Sequence, residues 1–519
     1  MAVPSILAID QGTTGTTCLV VADDGRILGR AYSEFTQHFP QSGWVEHDAS
    51  EIWEVSRRVA RAALESARAG DRDGAEVRGV GITNQRETVV LWDRETLEPV
   101  ARAIVWQDRR TARLCRELKE AGHEDEVRER TGLVLDPYFS GTKIAWLLQE
   151  HPELRARAEG GELAVGTIDA WLIARLTNGA VHATDPTNAS RTLLFNLRER
   201  RWDDWALRLL GVPRALLPEV RPSSGEFGAV AGEHFGIDVP IAGVAGDQQS
   251  ALFGQGCFKP GLAKNTYGTG AFLLLYTGTE PRPSRHGLLT TIACDPEGGV
   301  AYALEGSVFI AGAAIQWLRD GLGLLGHAQE SEAMARSLPD NQGVYLVPAF
   351  VGLGAPHWEP DARGMLVGLT RGTARAHVVR AALEAMAYAT ADVLEAMEAD
   401  SGVTTTELRV DGGAALNDWL MEFQAGVVGV PVRRPALVET TALGAAGLAG
   451  IATGVWDSSD DFLAAQGEPR RFASAMAPPE AARLRAGWSR AVRATVGWAR
   501  DDGTTAEGSG EGTVERDAG

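Results

Sequence analysis

Two stretches of this chain repeat one uncommon pattern. In "SILAIDQGTTGTTCLVV" (5–21) an apolar run ends in Asp10, turns through two glycines and four threonines, and resumes as a second apolar run. In "LAKNTYGTGAFLLLY" (262–276) the same order returns about 255 residues later: strand, Gly-Thr-Gly turn, strand. Short apolar runs around a Gly-containing turn read as hairpins. Two such hairpins in one chain point to an internal duplication, with the boundary near "GQGCFKPG" (254–261). At 519 residues the chain is too long for one core in any case. The expected organisation is an N-terminal domain over 1–255, a C-terminal domain over 256–500 and a disordered acidic tail over 501–519, where large apolar residues are almost absent.

The turns carry a specific chemistry. Glycine lets backbone N–H groups approach a phosphate that a Cβ would hold off, and threonine hydroxyls add donors. An aspartate facing the same place would repel phosphate unless a cation lies between them, and Mg²⁺ is held in this way by one or two carboxylates with phosphate oxygens and water. "DQGTTGTT" therefore reads as a phosphate loop with Asp10 as its magnesium anchor, or as a polar hairpin with a capping aspartate. The second hairpin, with Gly268 and Thr269, would clasp the same phosphates from the opposite domain and place the active site in an interdomain cleft. A third strand–turn–helix pattern, "ELRVDGGAALNDWLMEFQAGVVG" (407–429), offers a Gly pair that suits an adenosine pocket. Singly, each of these turns is also consistent with a plain connection.

Bulk properties narrow the field. A net charge of −19 argues against a general nucleic-acid or acidic-membrane binder. The only lysines are Lys119, Lys143, Lys259 and Lys264, and none follows a glycine, so the P-loop signature is absent; the protein-kinase motif set is absent too. Cys18, Cys115, Cys257 and Cys294 form no CxxC pair, and no leader or apolar span interrupts the soluble pattern, which gives a cytoplasmic expectation. "GLGLLG" (321–326) fits a dinucleotide fingerprint but follows a helix instead of a strand, so it reads as a helix end.

The chain resembles the FGGY carbohydrate kinases of the sugar-kinase/actin/Hsp70 ATPase fold over roughly residues 5–495. "YFSGTKIAWLLQE" (138–150) and "GMLVGLTRGTARAHVVRAALE" (364–384) look like the two family signatures. "QHFPQSGWVEHDASEIW", "GITNQRETVVLWD", "AIVWQDRRT", "VAGDQQSALFGQ" and "KNTYGTGAFLL" are similar to the branch that phosphorylates glycerol. The resemblance implies an α/β fold of two duplicated ribonuclease H-like domains, ATP and Mg²⁺ as cofactors, glycerol as acceptor and a homo-oligomer, dimer or tetramer. It carries nucleotide contacts to Thr13, Thr14, Thr269, Gly312, Gln316, Gly413 and Asn417. A histidine that is phosphorylated in some members has no aligned counterpart, since His234 in "GEHFGIDVPIAG" stands one position nearer the proline.

A small polyol needs partners for its hydroxyls, a surface for its carbons and a base. In "NQRE", Arg86 would donate to a hydroxyl and Glu87 would accept from one or two. Adjacent strand residues point to opposite faces, so both reach one ligand only if the backbone turns there. Without the resemblance the pair reads as a surface ion pair. Trp106 and Phe272 would pack on the carbon chain and Tyr138 would offer its hydroxyl, although isolated aromatics more commonly fill cores. Asp247 follows the apolar "IAGVAG" at a strand's C-terminal end, the edge where open α/β sheets place active groups, and is assigned as general base; a helix N-cap is the alternative. Gln248 would bond another hydroxyl. Two rivals follow: an FGGY kinase for a pentulose, erythritol or gluconate, and an ATP-switched chaperone or filament subunit on the same fold.

Overall fold

The computed structural model describes residues 2–70 and 74–501. The tail expectation therefore lies, beyond Asp501, outside the described residues. The first hairpin forms as the pattern dictates: β1 (Val3–Gln11) pairs antiparallel with β2 (Gly15–Ala22), with Asp10 opposite Thr17, and β3 (Ile27–Glu34) continues the meander. Helix α1 (Ala49–Gly70) then buries Ile52, Val55, Val59 and Ala63 on one face. Asp48 starts it by accepting from the Ser50 and Glu51 amides at 2.9 and 3.2 Å, a cap worth about 1 kcal/mol. Strands β4 (Ala75–Asn84) and β5 (Ile241–Gly246) add in parallel, giving the order β5-β4-β1-β2-β3. Helix α2 (Asp247–Gly254) begins directly on β5, with extended Gly246 as its N-cap, so Asp247 is the first helical residue and not the cap.

The second sheet repeats this plan. Strands β6 (Leu262–Tyr267) and β7 (Ala271–Gly278) form the second hairpin, β8 (Leu289–Cys294) and β9 (Val300–Val308) extend it, and helix α3 (Gly312–Asp320) follows. Helix α4 (Arg375–Ser401) covers a face, and β10 (Glu407–Gly412), helix α5 (Asp418–Val428) and β11 (Val432–Arg434) come next. Helix α6 (Thr440–Thr453) precedes the edge strand β12 (Arg470–Phe472), and the order is β8-β9-β7-β6-β10-β11-β12. Within it, β9-β7-β6-β10-β11 reproduces β3-β2-β1-β4-β5 strand for strand: two antiparallel steps, then two parallel ones. "GLGLLG" follows the end of α3, as a helix terminus.

The two halves exchange helices. α6 follows β11 in the chain yet packs on the first sheet, with Ala442, Leu443, Ala446 and Ala449 in one core with Ile6, Ala8 and Ala245. Glycines make the approach possible: a methyl group on Gly81 would collide with the Ala445 carbonyl, and one on Gly243 with the Ala449 amide. α2 in turn leans on β6, β7 and β8. Among the described residues no helix is long and apolar enough to cross a membrane.

Candidate active site

The hairpin turns lie at corresponding ends of the two sheets. Gly12 N–H donates to the Gly15 carbonyl at 2.9 Å, and Gly268 N–H to the Gly270 carbonyl at 2.8 Å, so both turns close on their own backbone. Thr14, Gly268 and Thr269 are exposed. Thr13 is half-buried: its carbonyl accepts from Gln37 Nε2 at 2.9 Å and its hydroxyl from Trp106 Nε1 at 2.9 Å. Gly312 opens α3 against the second turn, where a Cβ would stand 2.6 Å from the Gly268 carbonyl. The first amides of α3 donate to that turn, from Gly312 to Gly268 and from Ala313 to Thr269, at 3.1 Å each. Gly312 thus matters for close approach, not as a free donor, and Gln316 is exposed one turn further on.

Gly413 is exposed where a 3₁₀ turn begins, beside β6 through the Tyr267–Gly412 pairing. Gly412 has φ +82°, and a side chain there would meet the Tyr267 carbonyl, so only glycine fits. Asn417 closes the turn and caps α5: its Oδ1 accepts from the Leu420 amide at 2.9 Å and its Nδ2 donates to Ser331 at 3.3 Å. Its side chain is already committed to the helix start.

Asp10 is the penultimate residue of β1 and Asp247 begins α2. Burial, and next the nearby Asp247, push the Asp10 carboxyl up to about 7. Two neighbouring carboxylates are a donor set that suits a divalent cation. Among the described residues no cluster of three or more His, Cys, Asp or Glu could hold a metal by protein groups alone, so phosphate oxygens and water would complete the shell. The Asp247 side chain is 30% exposed, and its Oδ1 lies 3.2 Å from Arg86 Nε.

Arg86 and Glu87 are not a surface pair: they are 3% and 1% exposed. The backbone turn they require is present, since Glu87 has φ +61°, a conformation that costs a non-glycine residue about 1–3 kcal/mol. Arg86 donates to Glu305 through Nη1 at 2.6 Å and Nη2 at 3.0 Å, and to the Tyr138 hydroxyl at 3.4 Å. Arg191 joins the same cluster through Nε to Glu87 at 2.6 Å and Nη2 to Glu305 at 2.9 Å. Burial raises the Glu87 pKa despite both arginines, whereas the two guanidiniums outweigh burial at Glu305 and hold it at about 2. Trp106 meets Tyr138 edge-on with centroids 5.5 Å apart, and Phe272, on β7 of the other sheet, at 6.4 Å. Gln248 Oε1 accepts from Lys264 Nζ, a buried ammonium that also donates to Thr266 at 2.8 Å and whose pKa burial lowers to about 8. With its oxygen engaged, Gln248 has its amide NH₂ left to donate.

The fold thus gathers Arg86, Glu87, Trp106, Tyr138, Asp247 and Phe272 into one set of contacts, with Trp106 linked to Thr13 of the first hairpin. Sequence reasoning missed Arg191, Glu305 and Lys264. Glu305 had a signal, a lone acid within the apolar run "AYALEG"; Arg191 in "NASRTLL" had none.

The N-terminal domain of the FGGY family of carbohydrate kinases matches residues 5–254, and the C-terminal domain of that family matches residues 263–453. The chain belongs to the FGGY family of carbohydrate kinases. Among its FGGY relatives, a glycerol kinase of Dechloromonas aromatica is 57% identical over 498 residues, covering 95% of this chain and 98% of its own. Glycerol kinase 2 of Thermotoga maritima is 54% identical over 493 residues, covering 95% and 99%. The crystal structure of Plasmodium falciparum glycerol kinase with ADP superposes with a TM-score of 0.90 at 35% identity, covering 95% and 98%. A gluconate kinase from Lactobacillus acidophilus shares the fold at a TM-score of 0.85 and 20% identity.

Proposed function

We propose that this FGGY kinase works by a base-assisted transfer in which Asp247 takes the proton of the attacking hydroxyl as ATP phosphorylates glycerol to sn-glycerol 3-phosphate. The activity itself, ATP-dependent phosphorylation of glycerol, follows from the high identity over nearly the whole chain. One observation carries the residue assignments. Asp247, with its side chain 30% exposed, meets Arg86, which reaches the Tyr138 hydroxyl, and lies near Asp10.

Arg86 and Glu87 hold glycerol hydroxyls, Gln248 donates to another, and Trp106, Tyr138 and Phe272 enclose the three carbons. This wall is tight, which disfavours longer sugar acceptors. Thr13, Thr14, Gly268 and Thr269 face the ATP phosphates; Gly312, Gln316, Gly413 and Asn417 border the adenosine. Asp10 would hold Mg²⁺, which supplies charge neutralisation at the phosphates. Phosphoryl-transfer transition states are loose, so the chain's main task is alignment, with Asp247 needed as a positioned and not a strong base. Residues 1–255 would carry the acceptor and the first hairpin, and 256–500 the second hairpin and the adenosine pocket. Closure of the cleft would exclude water that competes for the phosphoryl group.

The test is ADP release with Mg-ATP, comparing glycerol with xylulose, erythritol, gluconate and no acceptor. Strong stimulation by glycerol alone is expected. A better sugar acceptor would overturn the aromatic wall, and equal ADP release without acceptor would overturn the transferase reading.

A further inference from the structure

We propose that Glu305 is a positioning residue for the acceptor site, holding Arg86 directly and Glu87 through Arg191. The inference rests on the reading of Arg86 and Glu87 as the acceptor pair. Glu305 lies on β9 of the second sheet, whereas Arg86, Glu87 and Arg191 all belong to the N-terminal half of the chain. The acceptor pair is therefore completed by a charge from the other half.

The geometry is specific. Glu305 is wholly buried, and each of its oxygens meets a different nitrogen of Arg86, at 2.6 and 3.0 Å, while one oxygen also takes Arg191 at 2.9 Å. Arg191 reaches Glu87 with its remaining Nε and lies against the Tyr138 and Phe139 rings, 5.7 and 5.3 Å from their centroids. Arg191 Nη1, on the same guanidinium, is buried without a hydrogen-bond partner. A paired buried charge is weak evidence for stability, because desolvation offsets the attraction; its effect is to select one geometry.

That geometry matters for the base. Glu305 accepts from both terminal nitrogens of Arg86, and the approach of Asp247 is to Nε, at 3.2 Å. With Glu305 neutral, the guanidinium is free to turn its fork onto Asp247. A bidentate pair there would remove Arg86 from the acceptor and occupy the oxygens that receive the proton.

The experiment measures steady-state kinetics in both substrates for Glu305→Gln, Arg86→Gln and the double variant, with Mg-ADP binding as the check on folding. Glu305→Gln is expected to lower kcat/KM for glycerol by about 10²-fold while the ATP KM changes by less than about threefold, the mark of a misplaced acceptor group. Because Glu305 acts in part through Arg86, the double variant should lose less than the product of the two single losses. Parent-like glycerol kinetics in Glu305→Gln, or losses that multiply in the double variant, overturn the inference alone. An unchanged glycerol KM in Arg86→Gln overturns the acceptor reading and the inference with it. Should Glu305→Gln fail to fold, Glu305→Asp keeps the charge but shortens the reach. The same loss confined to glycerol is expected there, and parent-like kinetics overturn the inference.

Discussion

At the scale of single residues, the site is a matter of which atoms remain free after the protein has satisfied its own. Asp247 keeps part of its carboxylate exposed, and Asp247→Asn is expected to lower kcat by roughly 10²–10⁴-fold while Mg-ADP binding persists. Near-normal turnover in a stopped or coupled assay would remove Asp247 from the base role. Trp106 has two surfaces: its ring borders Tyr138 and Phe272, and its Nε1 donates to the Thr13 hydroxyl at 2.9 Å. That bond fills an acceptor position on Thr13 and leaves its own O–H to point outward. Trp106→Phe keeps an aromatic wall but loses the donor. One hydrogen bond is worth about 0.5–1.5 kcal/mol, so a two- to tenfold fall in kcat/KM for ATP is expected. A change in the glycerol KM alone would assign Trp106 to the wall only. His234 is not available at the surface: it is 9% exposed, edge-on to Trp53 at 4.9 Å, and bonded to Asn178 at 2.9 Å.

At the scale of elements, the decisive contact is between α2 and α6, which joins the halves. Gly444 of α6 sits where a methyl group would collide with the Ser250 carbonyl of α2, and Gly254 stands in the same relation to the Thr440 carbonyl. Since α2 begins at Asp247, any force that parts the helices moves the base. Gly444→Ala is therefore expected to destabilise the fold by about 1–3 kcal/mol, as overpacking does, and to lower kcat as well. Thermal unfolding and turnover measured on one preparation check this; a lowered Tm with unchanged kcat would show that α2 does not transmit the shift. Nothing in the stretch "TTALGAAGLAGIAT" says that it crosses to the sheet of the other half.

At the scale of the whole molecule, buried titrating groups shape stability against pH. Burial, with Arg94 nearby, depresses His182 to about 4, and the ring stays neutral while bonded to the Val165 carbonyl at 3.0 Å. A depressed folded pKa gives stability that is present above the unfolded value near 6.5 and is lost as pH falls through 4. The loss at this residue is about 3 kcal/mol. His182→Gln keeps a donor for Val165 without the titration. Its stability relative to the parent should improve between pH 7 and pH 4.5, measured by urea midpoints. A constant difference would mean that His182 does not titrate in this range. Asp169, raised to about 7 by burial and then by Asp185, acts with the opposite sign, losing its contribution as pH rises through 7. The comparison of variant with parent cancels it.

What could be read from the sequence was local. The two hairpins, the strand that leads into Asp247 and the "GLGLLG" helix end depend on residues within a few positions of one another, and periodicity and turn chemistry act at that range. The duplication was legible because one local pattern occurs twice. The charge cluster was not. Arg86 and Glu305 are 219 positions apart, and a lone acid in an apolar strand shows that a partner exists without saying which. The turn at Glu87 was legible only as a condition, since a positive φ at glutamate is imposed by the surroundings that hold it. Sequence determined the chemistry available and the elements that carry it. Tertiary structure decided which carboxylates stay free, because burial and pairing are properties of neighbours that only the fold brings together.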